Sequence, residues 1–411
     1  RMKKRIREMG KRKKIHLIND LPHIYELEDT MSFCRKYEHL YIWGNGETEQ
    51  YLLKYFDICG IIVEGFVVAK EDDRNLDFSN IYRKLPVKLF EEIKDCPSAG
   101  IVIGSSEKLY HRIIPFLRKN NFSDYFEMTE YNRQGIVCQV RPRTREELTL
   151  EISLADHCNL SCQMCDHFSQ LSDKWFPDYE QMCNDLRRIG TVFDHQIAAI
   201  SFLGGEPTLN EHLIDYLKIA REEFPDAELI ILTNGVELLN LENGKTGNLW
   251  KACSDFDIHI MITVYPIKID YEAIEKKGRE YNVLVEMSSN IHVEDLTKIT
   301  KISDKHTMDL TGSIPPFYSV NCLYFNKFTV LKDGRVYMCP IAAHSDIFNK
   351  AFEQNLQLKE MDSLDIYSIE SWEQIAEFSA KPVPFCRYCD LKHWYHHSQW
   401  KCSSKRIEEY I

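Results

Sequence analysis

Two kinds of hydrophobic run alternate along this chain. Short apolar stretches rich in β-branched residues read as strands, and longer stretches with apolar residues at helical spacing read as helices. Leu40-Tyr41-Ile42-Trp43 is a strand ended by Gly44-Asn45-Gly46, and a helix follows from Glu49 to Phe56. Ile61 to Val68 is the next strand, Val87 to Lys94 a helix, Gly100 to Gly104 a buried strand and Glu107 to Lys119 a helix. Strands and helices at this spacing predict a small doubly wound α/β sheet over 38–130. The alternation resumes over 148–310. Strands are predicted at 148–154, 198–203, 228–233, 257–264 and 283–288, with helices near 177–190, 211–223 and 270–281. This pattern predicts an open (β/α)6 sheet, a partial TIM barrel. Over 311–411 the pattern changes to a hairpin and helices: Phe328 to Leu331 and Arg335 to Met338 are strands around Lys332-Asp333-Gly334, a strong hairpin turn.

Composition narrows the class. The chain has 411 residues, with 44% hydrophobic and 28% charged, as in an ordinary globular protein with ample core. No run approaches the roughly 18 apolar residues that span a bilayer, and no apolar signal segment follows the basic start. The formal net charge is -12, although the first fourteen residues hold nine Lys or Arg against Glu8. Residues 1–37 therefore form a basic N-terminal segment, read as a solvated tail or a weak anchor for anionic surfaces. The acidic remainder argues against nucleic acid as a partner.

Fourteen cysteines are many for one chain, and their spacing decides what they mean. Cys158, Cys162 and Cys165 form a CxxxCxxC run. Three thiolates on one short loop can hold three irons of a four-iron cluster and leave the fourth iron open. A zinc knuckle completed by His157 or His167 is the plainer reading of the run alone. A second set comprises Cys322, Cys339, Cys386 and Cys389, as C-x11-G-x4-C followed by CxxC. Four thiolates can close a complete four-iron cluster or a tetrahedral zinc site. Such spacing points to metal ligation in a reducing cytoplasm rather than to disulfides. Cys402 is left unassigned. His393-Trp394-Tyr395-His396-His397 is read as packing near the second set.

Further along, the predicted strand 198–203 ends in Gly204-Gly205-Glu206-Pro207, and strand 228–233 ends in Thr233-Asn234-Gly235. With CxxxCxxC after the first strand, GGEP after the second and a TNG turn after the third, residues 148–310 resemble the radical S-adenosylmethionine (SAM) superfamily. The resemblance implies two cofactors at this site, a [4Fe-4S] cluster on Cys158, Cys162 and Cys165, and SAM. It places Gly204, Gly205, Glu206, Pro207, Thr233, Asn234 and Ser288 against SAM. Consecutive glycines let backbone approach a ligand closely, so their amides and carbonyls are expected to bond the methionine amino group, with Glu206 adding charge. The implied reaction is reductive cleavage of SAM, then hydrogen abstraction by a 5′-deoxyadenosyl radical. An electron donor such as flavodoxin or ferredoxin is implied as partner.

The C-terminal cysteines resemble the auxiliary-cluster modules of that superfamily called SPASM and twitch. Tyr395 stands where a full SPASM would place its next cysteine, so the match is to the shorter form with one auxiliary [4Fe-4S] cluster. Residues 38–130 resemble the Rossmann-like domains attached to sugar-modifying enzymes. Gly44 and Gly46 match the first two glycines of GxGxxG, but Glu49 replaces the third, which argues against a dinucleotide. Asp166-His167-Phe168-Ser169 resembles a stretch of radical SAM proteins associated with surface glycans. Together these imply oxidation or epimerisation of a carbon in a sugar or nucleotide-linked sugar. A peptide-modifying maturase that crosslinks a precursor is the alternative, and a binding protein with a residual cluster is the third reading.

Overall fold

The computed structural model describes residues 24–69, 82–243, 247–287, 304–322, 324–396 and 400–411. Ser288, most of the basic segment, the side chains of 392–396 and His397 lie outside the described residues. The chain divides into two compact units between Cys138 and Gln139.

The first unit is a five-stranded parallel sheet in the order β3-β2-β1-β4-β5. Its strands are β1 (His39–Trp43), β2 (Gly65–Val68), β3 (Val87–Leu89), β4 (Ala99–Ile103) and β5 (Tyr125–Glu127). Leu40–Trp43 of β1 and the whole of β4 are hydrophobic or glycine and buried, as expected of parallel strands covered on both faces. Two readings of the sequence are corrected here. Val87-Lys88-Leu89 forms an edge strand, and only Phe90–Ile93 is helical. The apolar spacing of Val87, Phe90 and Ile93 imitates a helix, but Val87–Leu89 pairs with β2. Residues 61–64 are not strand, and pairing starts at Gly65. β5 was not expected from the sequence.

The strand order reverses between β1 and β4, where an α/β sheet usually opens a crevice for ligands. Here Glu49 fills it. Its carboxylate accepts from Gly46 N at 2.8 Å and from the Ser105 hydroxyl at 3.2 Å. A Cβ on Gly44 or on Gly46 would stand 2.6 Å from the same carboxylate.

The second unit, 139–411, is built on an eight-stranded sheet in the order β10-β9-β8-β7-β6-β12-β13-β14. Strands β6 (Thr149–Ser153), β7 (Ala199–Leu203), β8 (Glu228–Thr233), β9 (Ile258–Ile262) and β10 (Val285–Met287) run parallel. Helices Tyr179–Val192, Leu213–Glu223, Leu249–Asp255 and Tyr271–Tyr281 lie between them in sequence. This is a mixed α/β fold with a parallel core, consistent with the partial barrel expected. The core between this sheet and its helices is apolar, with Ile152, Ile200, Phe202, Ile231 and Ile260 fully buried.

β12 (Thr329–Lys332) joins the free edge of β6 in parallel, Thr329 opposite Leu150. β13 (Arg335–Tyr337) then turns back against it, and β14 (Ser363–Asp365) follows. Asp333 and Gly334 both have positive φ, 50° and 71°, the geometry a tight two-residue hairpin turn needs. The hairpin thus continues the barrel sheet. β11 (Asp304–Met308) and β15 (Cys389–His396) form a separate antiparallel ribbon.

Candidate functional site

The cluster loop begins where β6 ends. Its course is fixed by backbone contacts to the strand beside it. Gly205 N donates to Ala155 O at 2.6 Å, and Glu206 N donates to His157 O at 3.1 Å. A Cβ on Gly205 would sit 2.0 Å from His157 O, and one on Gly204 2.3 Å from Ala155 O. The glycine pair is therefore required by the loop that carries the cysteines. The amides of Gly205 and Glu206 are thus engaged within the protein.

Glu206 is buried and accepts four hydrogen bonds: from Thr208 N at 3.2 Å, Thr208 Oγ1 at 2.5 Å, Thr233 Oγ1 at 2.6 Å and Asn234 N at 2.9 Å. Burial still lifts its carboxyl above the ordinary range, against bonds that favour the anion. Glu206 thereby ties the ends of β7 and β8 together. Thr233 also accepts from Gly235 N at 3.1 Å. Asn234 Nδ2 donates to Asn159 Oδ1 at 2.7 Å and reaches the Cys158 sulfur at 3.5 Å. Pro207 is buried at the first position of a short 3₁₀ turn.

Within the loop, Met164 has φ 52°, a left-handed turn that costs a non-glycine residue about 1–2 kcal/mol. It lies between Cys162 and Cys165. All three thiols border one cavity of about 340 Å³, together with Gly204, Gly205 and Glu206. Thr233, Asn234 and Thr263 complete the strand-end side of that cavity.

Hydrogen bonds reach two of the sulfurs. Leu160 N points at Cys158 Sγ (3.3 Å) and Trp400 Nε1 at Cys162 Sγ (3.2 Å). Trp400 arrives through a segment the sequence did not reveal. Residues 401–403 pair with the loop, Gln163 N to Lys401 O at 3.0 Å and Ser403 N to Ser161 O at 2.9 Å. Cys402 lies opposite Cys162 in that bridge. Pairing across so many residues leaves no local pattern in the sequence.

Burial, with Glu206 and the other two thiols adding to it, pushes Cys158 up to about 12. Such a thiol becomes a thiolate ligand when a metal takes its charge. Among the described residues no three His, Cys, Asp or Glu side chains stand close enough to share a single ion. The thiols border a space instead of converging on a point. A multi-iron cluster on three thiolates fits that donor set better than one tetrahedral zinc, whose sulfurs must stand about 2.3 Å from the ion.

The second set behaves alike. Cys322, Cys339, Cys386 and Cys389 line one small, largely apolar cavity with Phe325 and Phe385. Burial pushes Cys322 up to about 12 and raises the other three, and each is raised further by charge on a neighbouring member of the set or, for Cys386, on Asp362. Tyr324 lines both cavities. Its hydroxyl donates to Asp166.

A buried ion cluster joins the hairpin to the cluster loop. Lys332 Nζ lies 3.0 Å from Asp156 Oδ2, and His344 Nε2 lies 3.3 Å from Asp156 Oδ1. His344 Nδ1 also meets Pro340 O at 2.9 Å. Burial opposes the Asp156 anion, but His344 and Lys332 outweigh it and hold the carboxyl below its usual range.

Glu151, in the middle of β6, also borders the large cavity. Burial, with Asp166 beside it, pushes its carboxyl up to about 8. Nothing in the sequence singles it out, because an acid inside a strand reads as a solvent-facing position.

Residues 152–243 match the model of the radical SAM superfamily. The chain is similar to a GTP 3′,8-cyclase of Mycobacterium ulcerans (strain Agy99), 36% identical over 98 residues, covering 23% of this chain and 26% of the relative. It is 28% identical over 176 residues to a 7,8-dihydro-6-hydroxymethylpterin dimethyltransferase of Methanocaldococcus jannaschii, covering 39% of this chain and 33% of that one. The chain thus spans about a third or less of these curated relatives. Among solved structures, BtrN in complex with AdoMet and 2-DOIA aligns over 59% of this chain and 92% of its own, at 17% identity and TM-score 0.34. SuiB of Streptococcus suis bound to precursor peptide SuiA aligns over 72% and 88%, at 13% identity and TM-score 0.32. The chain carries a radical SAM superfamily domain.

Proposed function

We propose that this protein abstracts a hydrogen atom from a carbon of a sugar or nucleotide-linked sugar, leading to oxidation or epimerisation there. The observation that supports it is the composition of one cavity. Three thiols, the Gly204-Gly205-Glu206 strand end and the polar residues Asp166, Ser169 and Gln170 all line it. Cys158, Cys162 and Cys165 would hold a [4Fe-4S] cluster with SAM at its open iron. Cys322, Cys339, Cys386 and Cys389 would hold a second [4Fe-4S] cluster. When bound, these groups supply a 5′-deoxyadenosyl radical and an acceptor for the second electron of an oxidation.

The chain's own residues have three tasks. Glu206 and Asn234 fix the strand ends around the thiols. The 400–403 segment pairs with the cluster loop and holds its course. The 166–170 run offers hydrogen-bonding groups to a polyhydroxylated molecule. The test is an anaerobic screen for substrate-dependent 5′-deoxyadenosine. Saccharides are expected to raise it above the uncoupled rate, and Cys386→Ala is expected to stop product while some SAM cleavage persists. A response to peptides alone would establish the maturase reading in its place.

A further inference from the structure

Trp400 and Lys401 line the cavity beside the thiols, but Cys402, the next residue, does not. Its place is set by the backbone instead. Gln163 N donates to Lys401 O at 3.0 Å, and Ser403 N donates to Ser161 O at 2.9 Å. These two bonds flank Cys162 and Cys402, which stand opposite one another as a non-hydrogen-bonded antiparallel pair. In such a pair the Cα atoms are roughly 4.5 Å apart, the closer of the two spacings in an antiparallel ladder. A disulfide needs a Cα separation of about 4.4–6.8 Å. The two side chains also share a side. Residues two apart in extended backbone point the same way, and Trp400 Nε1 reaches Cys162 Sγ at 3.2 Å. The face that carries Trp400 and Cys402 is therefore the one turned to Cys162.

Cys158 and Cys165 share the cavity lining with Cys162, but among the described residues no three ligating side chains converge tightly enough for one ion. The bridge, in contrast, holds Cys402 directly opposite Cys162. We infer that Cys162 and Cys402 form a reversible disulfide when the chain lacks its first cluster, driven by low-molecular-weight disulfides of the glutathione class. Cys402 is exposed and meets the oxidant first. Its thiolate attacks one sulfur of the small disulfide, whose S–S bond breaks and releases one small thiol. The Cys162 thiolate then attacks the Cys402 sulfur and expels the second. The two protein thiols lose two electrons and two protons, and the small disulfide gains both to become two thiols. The bridge keeps Cys162 from iron and from irreversible oxidation to sulfinic or sulfonic acid. Reduction by a thiol returns Cys162 as a ligand.

This inference rests on Cys162 being an iron ligand, as proposed above, and the test separates the two. The full chain is stripped of iron anaerobically, fully reduced and incubated with oxidised glutathione. Remaining thiols are alkylated, and linkages are mapped by mass spectrometry of an unreduced digest. Because the bridge gives the pair a high effective concentration, the Cys162–Cys402 peptide is expected to exceed other linked forms of Cys162 by roughly tenfold. Dithiothreitol is expected to remove it. In Cys402→Ser, which alters an exposed side chain, Cys162 is expected to carry the alkyl group or glutathione. When the glutathione-treated chains then meet hydrogen peroxide, roughly tenfold more Cys162 is expected to reach sulfonic acid in Cys402→Ser than in wild type. Equal yields overturn the protective role. A digest in which Cys162 is joined mainly to Cys158 or Cys165, or in which Cys402 carries only glutathione, overturns the disulfide. In the reconstituted chain iron holds Cys162, so Cys402 alone is expected to take glutathione, with iron retained. If the Cys162–Cys402 link forms there without loss of iron, the ligand assignment of Cys162 falls while the disulfide stands.

Discussion

Glu206 was singled out from the sequence as a charge for SAM, yet its four hydrogen bonds all close inside the protein. Removing a buried acceptor strands its donors, at about 1–3 kcal/mol. Glu206→Ala is therefore expected to lower the unfolding free energy by roughly that amount and to weaken SAM binding, because the strand ends that surround the thiols come apart. Denaturant unfolding and calorimetry with SAM check both. Unchanged stability would show that the four bonds contribute nothing net. Asp309 gives a prediction of opposite kind. Thr311 and Ser313 each offer it a backbone N–H and a hydroxyl at 2.6–2.9 Å. Burial opposes the anion, but those bonds win and lower it from 3.8 to about 2. A carboxyl with a depressed folded pKa contributes stability that is complete above the unfolded value and is lost as pH falls through the folded one. Stability should therefore drop between about pH 4 and pH 2, and Asp309→Asn should flatten that window. Identity was easy to read at this scale, and partnership was not. The cysteines and glycines were legible because their spacing is fixed by chemistry, whereas the partners of Glu206 and the raised carboxyl of Glu151 depend on which strands become neighbours.

Elements were legible where the signal was local. β7 and β8 are apolar runs that end in glycine-bearing turns, and both formed close to their expected bounds. Val87-Lys88-Leu89 was misread because three residues cannot distinguish a strand from the start of a helix. The docking of the 328–338 hairpin onto β6 was invisible because it pairs residues almost 180 apart. That docking has a consequence. Lys332 leaves β12 and meets Asp156 at the start of the cluster loop, with both side chains nearly fully buried. Its ammonium also lies 5.0 Å from the Trp175 ring. Taking one partner away from a buried pair costs about 3–5 kcal/mol. Lys332→Ala is expected to lose about that much stability and to loosen the cysteine loop, seen as slower or incomplete cluster reconstitution. If iron incorporation and unfolding are both unaffected, the hairpin does not brace the loop.

For the whole molecule, two cysteine sets in one compact unit predict about eight irons per chain after anaerobic reconstitution, from two four-iron clusters. Changing Cys158, Cys162 and Cys165 together to Ala should leave about four and abolish reductive SAM cleavage. Zinc in place of the second four would remove the electron acceptor that favours oxidation over epimerisation. The first unit raises a separate question, because its strand order and its Gly44-Asn45-Gly46 turn are those of a nucleotide-binding half. The crevice between β1 and β4 should receive a pyrophosphate on the amides at the start of the following helix. In this chain Gly46 N already donates to Glu49 at 2.8 Å. The Glu49 carboxylate stands 2.6 Å from where a Cβ of either glycine would be, so the cradle is filled, and filled by an acid. Burial raises that carboxyl above its usual range despite the bonds from Gly46 and Ser105, but even a neutral acid blocks the space. NAD is therefore expected to produce no saturable heat in a calorimetric titration of the full chain. Glu49→Gly should reopen the cradle, and a gain of NAD affinity in that variant would identify the side chain as the obstacle. Micromolar binding by the wild type would show that Glu49 swings out, and that the first unit takes a dinucleotide after all.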